Sequence, residues 1–200
     1  MEDVLYQNKE KFIGIVRDKI KRDGVEDLIN YLEKSDFFNA PASAKYHCDH
    51  EGGLCEHSLN VYNRLNKLVM NEYGNYATIS EESIAICGLL HDLCKIDFYK
   101  TDFRNVKENG EWVQKPYYSV DEKLPYGHGE KSVYIINGFI RLTREEALAI
   151  NWHMGGFDAR FQGGGGSALS ESYRRFPLAV WLHVADLTAT YIDENSLLKI

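Results

Sequence analysis

The sequence predicts an all-α bundle with one small β-hairpin inserted between helices. Three observations carry that expectation. Apolar residues recur at helical spacing along most of the chain, as at Leu54, Leu59, Val61, Leu65, Leu68 and Val69. One stretch, about 98–120, instead alternates aromatic and β-branched residues with polar ones around Glu108-Asn109-Gly110, a hairpin turn signal. No internal repeat and no linker-like segment divides the 200 residues, which suits a single domain over 1–200 with a buried core of its own.

Each element has a local reason. Residues 2–21 place Leu5, Phe12, Ile13, Val16 and Ile20 at helical spacing. Gly24 interrupts, and a short helix over 25–34 puts Leu28, Ile29 and Leu32 on one side. Residues 35–53 read as a loop punctuated by Pro41 and Gly52-Gly53. Helix resumes over 54–73. Ser80 is placed to cap the next helix, roughly 81–94, with Glu81 and Glu82 at its positive end. That helix is apolar nearly all round, so it belongs in the middle of the fold. The hairpin strands are expected near 99–107 and 111–118, and helix again over about 129–140. Thr143 and Glu146 form a capping box for a helix through Met154. Residues 163–166, all glycine, read as a flexible loop, and Pro177 opens a final helix to about Ile192.

Composition narrows the class. Apolar and charged fractions of 44% and 26% are those of an ordinary globular protein. No apolar run reaches the roughly 18–20 residues needed to span a bilayer. Residues 1–10 are polar and mixed in charge, unlike a signal peptide, so a cytoplasmic location is expected. Cys48, Cys55, Cys87 and Cys94 form no CxxC pair and are expected as reduced thiols. A net charge of −7 argues against broad nucleic-acid binding, which depends on neutralising phosphates. It leaves room for a small phosphorylated substrate in a cleft whose field metal ions dominate.

The chemistry-bearing residues stand in distinctive settings. His57 lies near a helix start, His91-Asp92 ends the apolar helix, and His128 sits between Gly127 and Gly129. His153 ends a helix, and Asp186 lies inside the apolar last helix. An ionised carboxylate on a buried helix is costly unless paired, hydrogen-bonded or bound to metal. Asp92 and Asp186 both meet that description, and imidazole plus carboxylate suits Mn, Fe, Co, Ni or Zn. Taken singly, each histidine reads as a hydrogen-bonded core residue, and Asp186 could simply pair with His183, three residues back.

Taken together, the order His57, His91-Asp92, Asp186 resembles the H…HD…D pattern of the HD superfamily of metal-dependent phosphohydrolases. Leu89-Leu90-His91-Asp92-Leu93-Cys94-Lys95 resembles that family's apolar run, its HD pair and a lysine three residues on. Gly52-Gly53-Leu54-Cys55-Glu56-His57-Ser58-Leu59, with the Pro41-Ala42 loop and a histidine at 47 or 50, resembles HD domains of bacterial 3′–5′ exoribonuclease type. The likeness covers about 36–190 and implies an HD-domain helical bundle, with the hairpin at about 98–120 as an insertion.

The resemblance also implies a ligand set. His57, His91, Asp92 and Asp186 would bind one divalent ion. His128 and His153 would bind a second, as in two-metal HD phosphodiesterases, with Asp92 bridging. The expected cofactors are two divalent ions among Mn, Fe, Ni, Co, Zn and Mg. The interval between Asp92 and His128 is longer than in compact members. Asp92 and Lys95 are the catalytic candidates, Lys95 through a phosphate oxygen, against a plain solvated helix-end cation as its other reading. His50, Lys95 and Arg160 are candidates for substrate binding, and His50, His47 or a metal-bound water for the proton donor. Glu56 is either a partner of His57 or an exposed helical glutamate. Aromatic residues of the hairpin either stack a nucleobase or pack the hairpin onto the helices. The expected reaction is hydrolysis of a phosphate ester by a metal-activated water. The substrate is a small nucleotide or short single-stranded nucleic acid, and no membrane partner is expected. A non-catalytic nucleotide sensor and a diiron HD-type oxygenase are the competing readings.

Overall fold

The computed structural model describes residues 2–74 and 78–195. They form α1 (Glu2–Lys19), α2 (Val25–Lys34), α3 (Gly53–Tyr73), α4 (Glu81–Leu90), β1 (Tyr99–Glu108), β2 (Glu111–Val120), α5 (His128–Asn137), α6 (Arg144–Asn151), α7 (Gly166–Arg175) and α8 (Pro177–Thr188). The architecture is the expected helical bundle with one antiparallel hairpin.

Helix α4 lies at the centre, as its all-round apolarity requires. It packs against α1, α3 and α6, while α3 and α6 both pack on α8. Ile84, Ile86, Leu89 and Leu90 are buried, and Ser80 caps the helix by accepting the Ser83 N–H at 3.0 Å. At Gly88 the crossing with α3 leaves no room for a side chain, since a Cβ would lie 2.6 Å from Tyr62 Cα. Gly88→Ala is therefore expected to push apart the helices that carry His57 and His91. A loss of about 1–3 kcal/mol in denaturant unfolding is the predicted reading.

The helix expected to run to 94 stops at Leu90. His91 turns its Nδ1 onto the Gly88 carbonyl at 3.0 Å, the group that a continuing helix would bond to residue 92. Asp92 leaves helical geometry at φ −105°, ψ 20°, and Leu93–Lys95 follows as a 3₁₀ turn. The break aims Asp92 and Lys95 inward together.

The hairpin pairs from Tyr99↔Val120 to Glu108↔Glu111. Asn109 and Gly110 take φ of +51° and +89°, the left-handed pair that a tight two-residue turn requires. Its tip does not pack onto the helices: Phe103 is 61% and Trp112 72% exposed. Only its base, at Tyr99, reaches the cleft described below.

Two further differences lie near the C-terminal end. Residues 161–165 form a kink in which Gly164 leaves helical geometry at φ +100°, and a helix not foreseen in the sequence, α7, follows. Its glycine-rich start and sparse apolar residues hide the period, and packing against α8 holds it. The last α-helix stops at Thr188, whose hydroxyl donates to the carbonyls of Val184 (2.7 Å) and Ala185 (3.0 Å). Such bonding bends helices, and a π turn, Ala189–Asp193, carries the chain on.

Among the described residues, no helix is long and apolar enough to cross a membrane. All four cysteines are buried and none is in a disulfide.

Candidate metal centre

Six side chains from five parts of the fold meet in one place. His57 comes from the second turn of α3, His91 and Asp92 from the end of α4, and Asp186 from α8. His128 opens α5, and His153 follows α6. His57 Nε2 lies 3.3 Å from both His91 Nε2 and Asp186 Oδ1. Asp92 Oδ2 stands 3.5 Å from His91 Nε2 and 3.6 Å from His57 Nε2. Its other oxygen, Oδ1, stands 2.9 Å from His128 Nε2 and 3.5 Å from His153 Nε2. Two groups of histidines thus share one carboxylate.

Outer contacts fix the rings. His57 Nδ1 meets Glu194 Oε1 at 3.0 Å, and Asn60 donates to the same carboxylate. His91 Nδ1 donates to the Gly88 carbonyl and His153 Nδ1 to the Ile150 carbonyl at 2.7 Å. With each Nδ1–H directed outward, each Nε2 is presented inward, the usual arrangement of metal-ligating histidine. His128 Nδ1 lies 3.3 Å from Cys94 Sγ.

These residues fit a divalent cation. The Nε2 atoms of His57 and His91 face each other at 3.3 Å, which requires a proton or a cation between them. His153 Nε2 is buried and makes no hydrogen bond of good geometry among the described residues, with Asp92 Oδ1 at 3.5 Å. Buried polar atoms so loosely satisfied are rare and costly. Against the cost of burial, bonds to Asp186 and Glu194 hold His57 up at about 10, and Asp92 holds His153 above its ordinary value. Burial pushes His91 and His128 down. Burial opposes ionisation of Asp92 too, but the Lys95 ammonium and His91 keep it well below the carboxylate range.

The centre forms the floor of a cleft of about 480 Å³, within the range of small-molecule sites. Asp92, Lys95, His128, Asp186, His47 and Tyr99 line it, and the exposed rings of Tyr46, Phe157 and Tyr191 mark its mouth. Lys95 is no solvated helix-end cation. It is buried, with Nζ 2.7 Å from Asp92 Oδ2. Burial lowers its basicity, but Asp92 outweighs that and raises it. Asp186 pairs with His57 and not with His183, whose Nδ1 donates to the His153 carbonyl at 2.7 Å.

Two sequence candidates lie apart from this cleft. His50 is a surface residue whose Nδ1 meets the Glu51 carbonyl at 3.1 Å. Arg160 stacks on Trp152 and spends its donors on Asp158, Glu130 and Asn151. Arg174 and Arg175 are held by Glu171. Conversely, Glu194 was not singled out in the sequence. Its signal was spacing: Asp186, Thr190 and Glu194 stand four residues apart, one face of a helix continued past 192.

The HD domain family model matches residues 54–189, which span α3 to the first residue beyond α8. The chain belongs to the HD domain family, a superfamily of metal-dependent phosphohydrolases that bind divalent metals. No curated protein and no solved structure matches the chain in the corresponding comparisons.

Proposed function

We propose that the chain hydrolyses a phosphate ester of a small nucleotide, or of a short single-stranded oligonucleotide, at a centre holding two divalent ions. One observation carries this reading. The two oxygens of Asp92 face different ligand sets, Oδ2 toward His57 and His91, which Asp186 completes, and Oδ1 toward His128 and His153. Ions of this class, when bound, polarise a phosphoryl oxygen and make water easier to deprotonate.

The chain's own groups supply binding and orientation. Lys95 pins Asp92 Oδ2 and places a fixed positive charge at the cleft floor, beside the position of a phosphate. His47, pushed down to about 4 by burial, is a neutral imidazole at pH 7. Its Nε2, without a partner among the described residues, hydrogen-bonds a substrate oxygen. Because His50 lies outside the cleft, His47 is the histidine positioned for that role. Rings at the mouth, Tyr46, Phe157 and Tyr191, offer faces for a nucleobase.

Hydrolysis of bis-p-nitrophenyl phosphate, mononucleotides and short RNA, with Mn, Ni or Mg supplied, tests this reading. Turnover lost on chelation and restored by the ion is expected. No turnover by protein shown to hold the ions contradicts it. Glu194→Gln is expected to weaken metal binding by about 10–100-fold, as loss of an outer partner of a ligating histidine does. Competition with a chromophoric chelator measures it; unchanged affinity would mean that Glu194 does not set the His57 ring.

A further inference from the structure

We propose a second kind of metal site, separate from the cleft, in which Cys48, His50 and Glu56 bind one zinc-class divalent ion. The described lining of the cleft includes none of the three. A sulfur of Cys48, a ring nitrogen of His50 and a carboxylate oxygen of Glu56 all lie within 4.8 Å of one another. His50 Nε2 stands 3.5 Å from Glu56 Oε2. Two ligands about 2.0–2.1 Å from a tetrahedral zinc ion stand roughly 3.3 Å apart, so the pair is already close to ligating separation.

The tautomer points the same way. His50 Nδ1 meets the Glu51 carbonyl at 3.1 Å and can only donate there. That leaves Nε2 facing the Glu56 carboxylate at 3.5 Å, in position to ligate. Thiolate, imidazole and carboxylate together make a borderline-soft set, which selects zinc, cobalt or nickel over magnesium or calcium. Asp49 and Glu51, next to the ligands in sequence, add negative charge.

The loop is built to hold Cys48 in place. Cys48 takes φ +44°, uncommon for a residue with a side chain. Its carbonyl accepts the Ala42 N–H at 3.0 Å, and a Cβ on Gly53 would lie 2.0 Å from that same oxygen. Glu56 stands on the first turn of α3, one residue before His57. Ser43, Lys45, Tyr46 and His47 of the same loop line the cleft. An ion at this site therefore fastens the cleft loop to the helix that carries His57. Binding forms a metal–sulfur bond, releases the thiol proton to solvent and changes no oxidation state.

Cobalt(II) titration of the full chain tests the site, because cobalt–thiolate bonds give a near-ultraviolet charge-transfer band that imidazole and carboxylate ligands lack. The wild type is expected to show that band, saturating at one thiolate-bound cobalt per chain. Cys48→Ser should abolish it. His50→Ala, at an exposed position, should weaken the cobalt binding that it reports by more than the roughly tenfold cost of losing an outer-shell partner. Cys94→Ser should leave it unchanged, which separates this site from the thiol beside His128. No band in the wild type at saturating cobalt, or a full-strength band in Cys48→Ser, overturns the proposal. Neither result bears on the central ligands, so the proposal can fail while the phosphohydrolase reading stands.

Discussion

Asp92→Ala is expected to release both central ions and to remove turnover. Asp92 is the carboxylate in contact with both ligand sets, within 3.6 Å of four imidazoles. Its removal costs each set an oxygen ligand and leaves the buried Lys95 ammonium, now 2.7 Å from Oδ2, without that partner. A buried cation next to an emptied ligand set repels a returning metal ion. The loss of activity should exceed the roughly 10²–10³-fold that removal of one electrostatic donor costs, since the whole centre goes with it. Metal analysis beside turnover of a phosphate diester measures both effects. Unchanged metal content in Asp92→Ala would remove Asp92 from its shared position.

Glu146→Ala is expected to be the most destabilising single change outside the centre. Glu146 is fully buried and takes two bonds of 2.7 Å from Arg22 and one of 2.7 Å from Ser83. It also closes the capping box with Thr143, whose N–H it accepts at 2.8 Å. One carboxylate thus joins the α1–α2 turn, the start of α4 and the start of α6. Breaking a buried ion pair from one side costs roughly 3–5 kcal/mol. At about 2–4 °C per kcal/mol for a chain of this size, thermal unfolding should read a drop of order 10 °C. The pH dependence has a definite sign. Burial works against the ionised form, but Arg22 and Ser83 outweigh it and hold the Glu146 pKa below its ordinary value. Stability from such a group is present above the unfolded carboxylate's pKa and is lost as pH falls through the folded one. Glu146→Gln should therefore lose less stability than the wild type on acidification below the ordinary carboxylate range. Parallel pH curves for the two proteins would contradict this.

Much of this arrangement was legible because it is local. Helix α2 follows its apolar period from Val25 to Lys34, and Asn109-Gly110 sets the hairpin turn where its backbone preference says. The six ligand candidates were legible through order and context, and the structure brings all six together. What remained hidden is tertiary. No spacing rule tells that Arg160 spends its charge on Asp158 and Glu130, or that the loop sends His47 to the cleft and His50 to the surface. Helix α7 was missed because its stability comes from packing on α8 and not from its glycine-rich sequence. Glu194 was missed because the π turn beyond Thr188 lies where the helical reading stopped. The apolar helix ends a turn short of its apolar pattern because a side chain, His91, competes for the carbonyl that would have continued it.

The number of manganese ions bound per chain tests the shared-carboxylate centre most directly. Manganese is a poor match for a thiolate ligand, so the Cys48 site does not enter the count. Two ions are expected in the wild type, one in His128→Ala, which loses only the set on Asp92 Oδ1, and none in Asp92→Ala. A single ion in the wild type, or loss of both ions from His128→Ala, would contradict a centre in which Asp92 holds two ions between separate ligand sets.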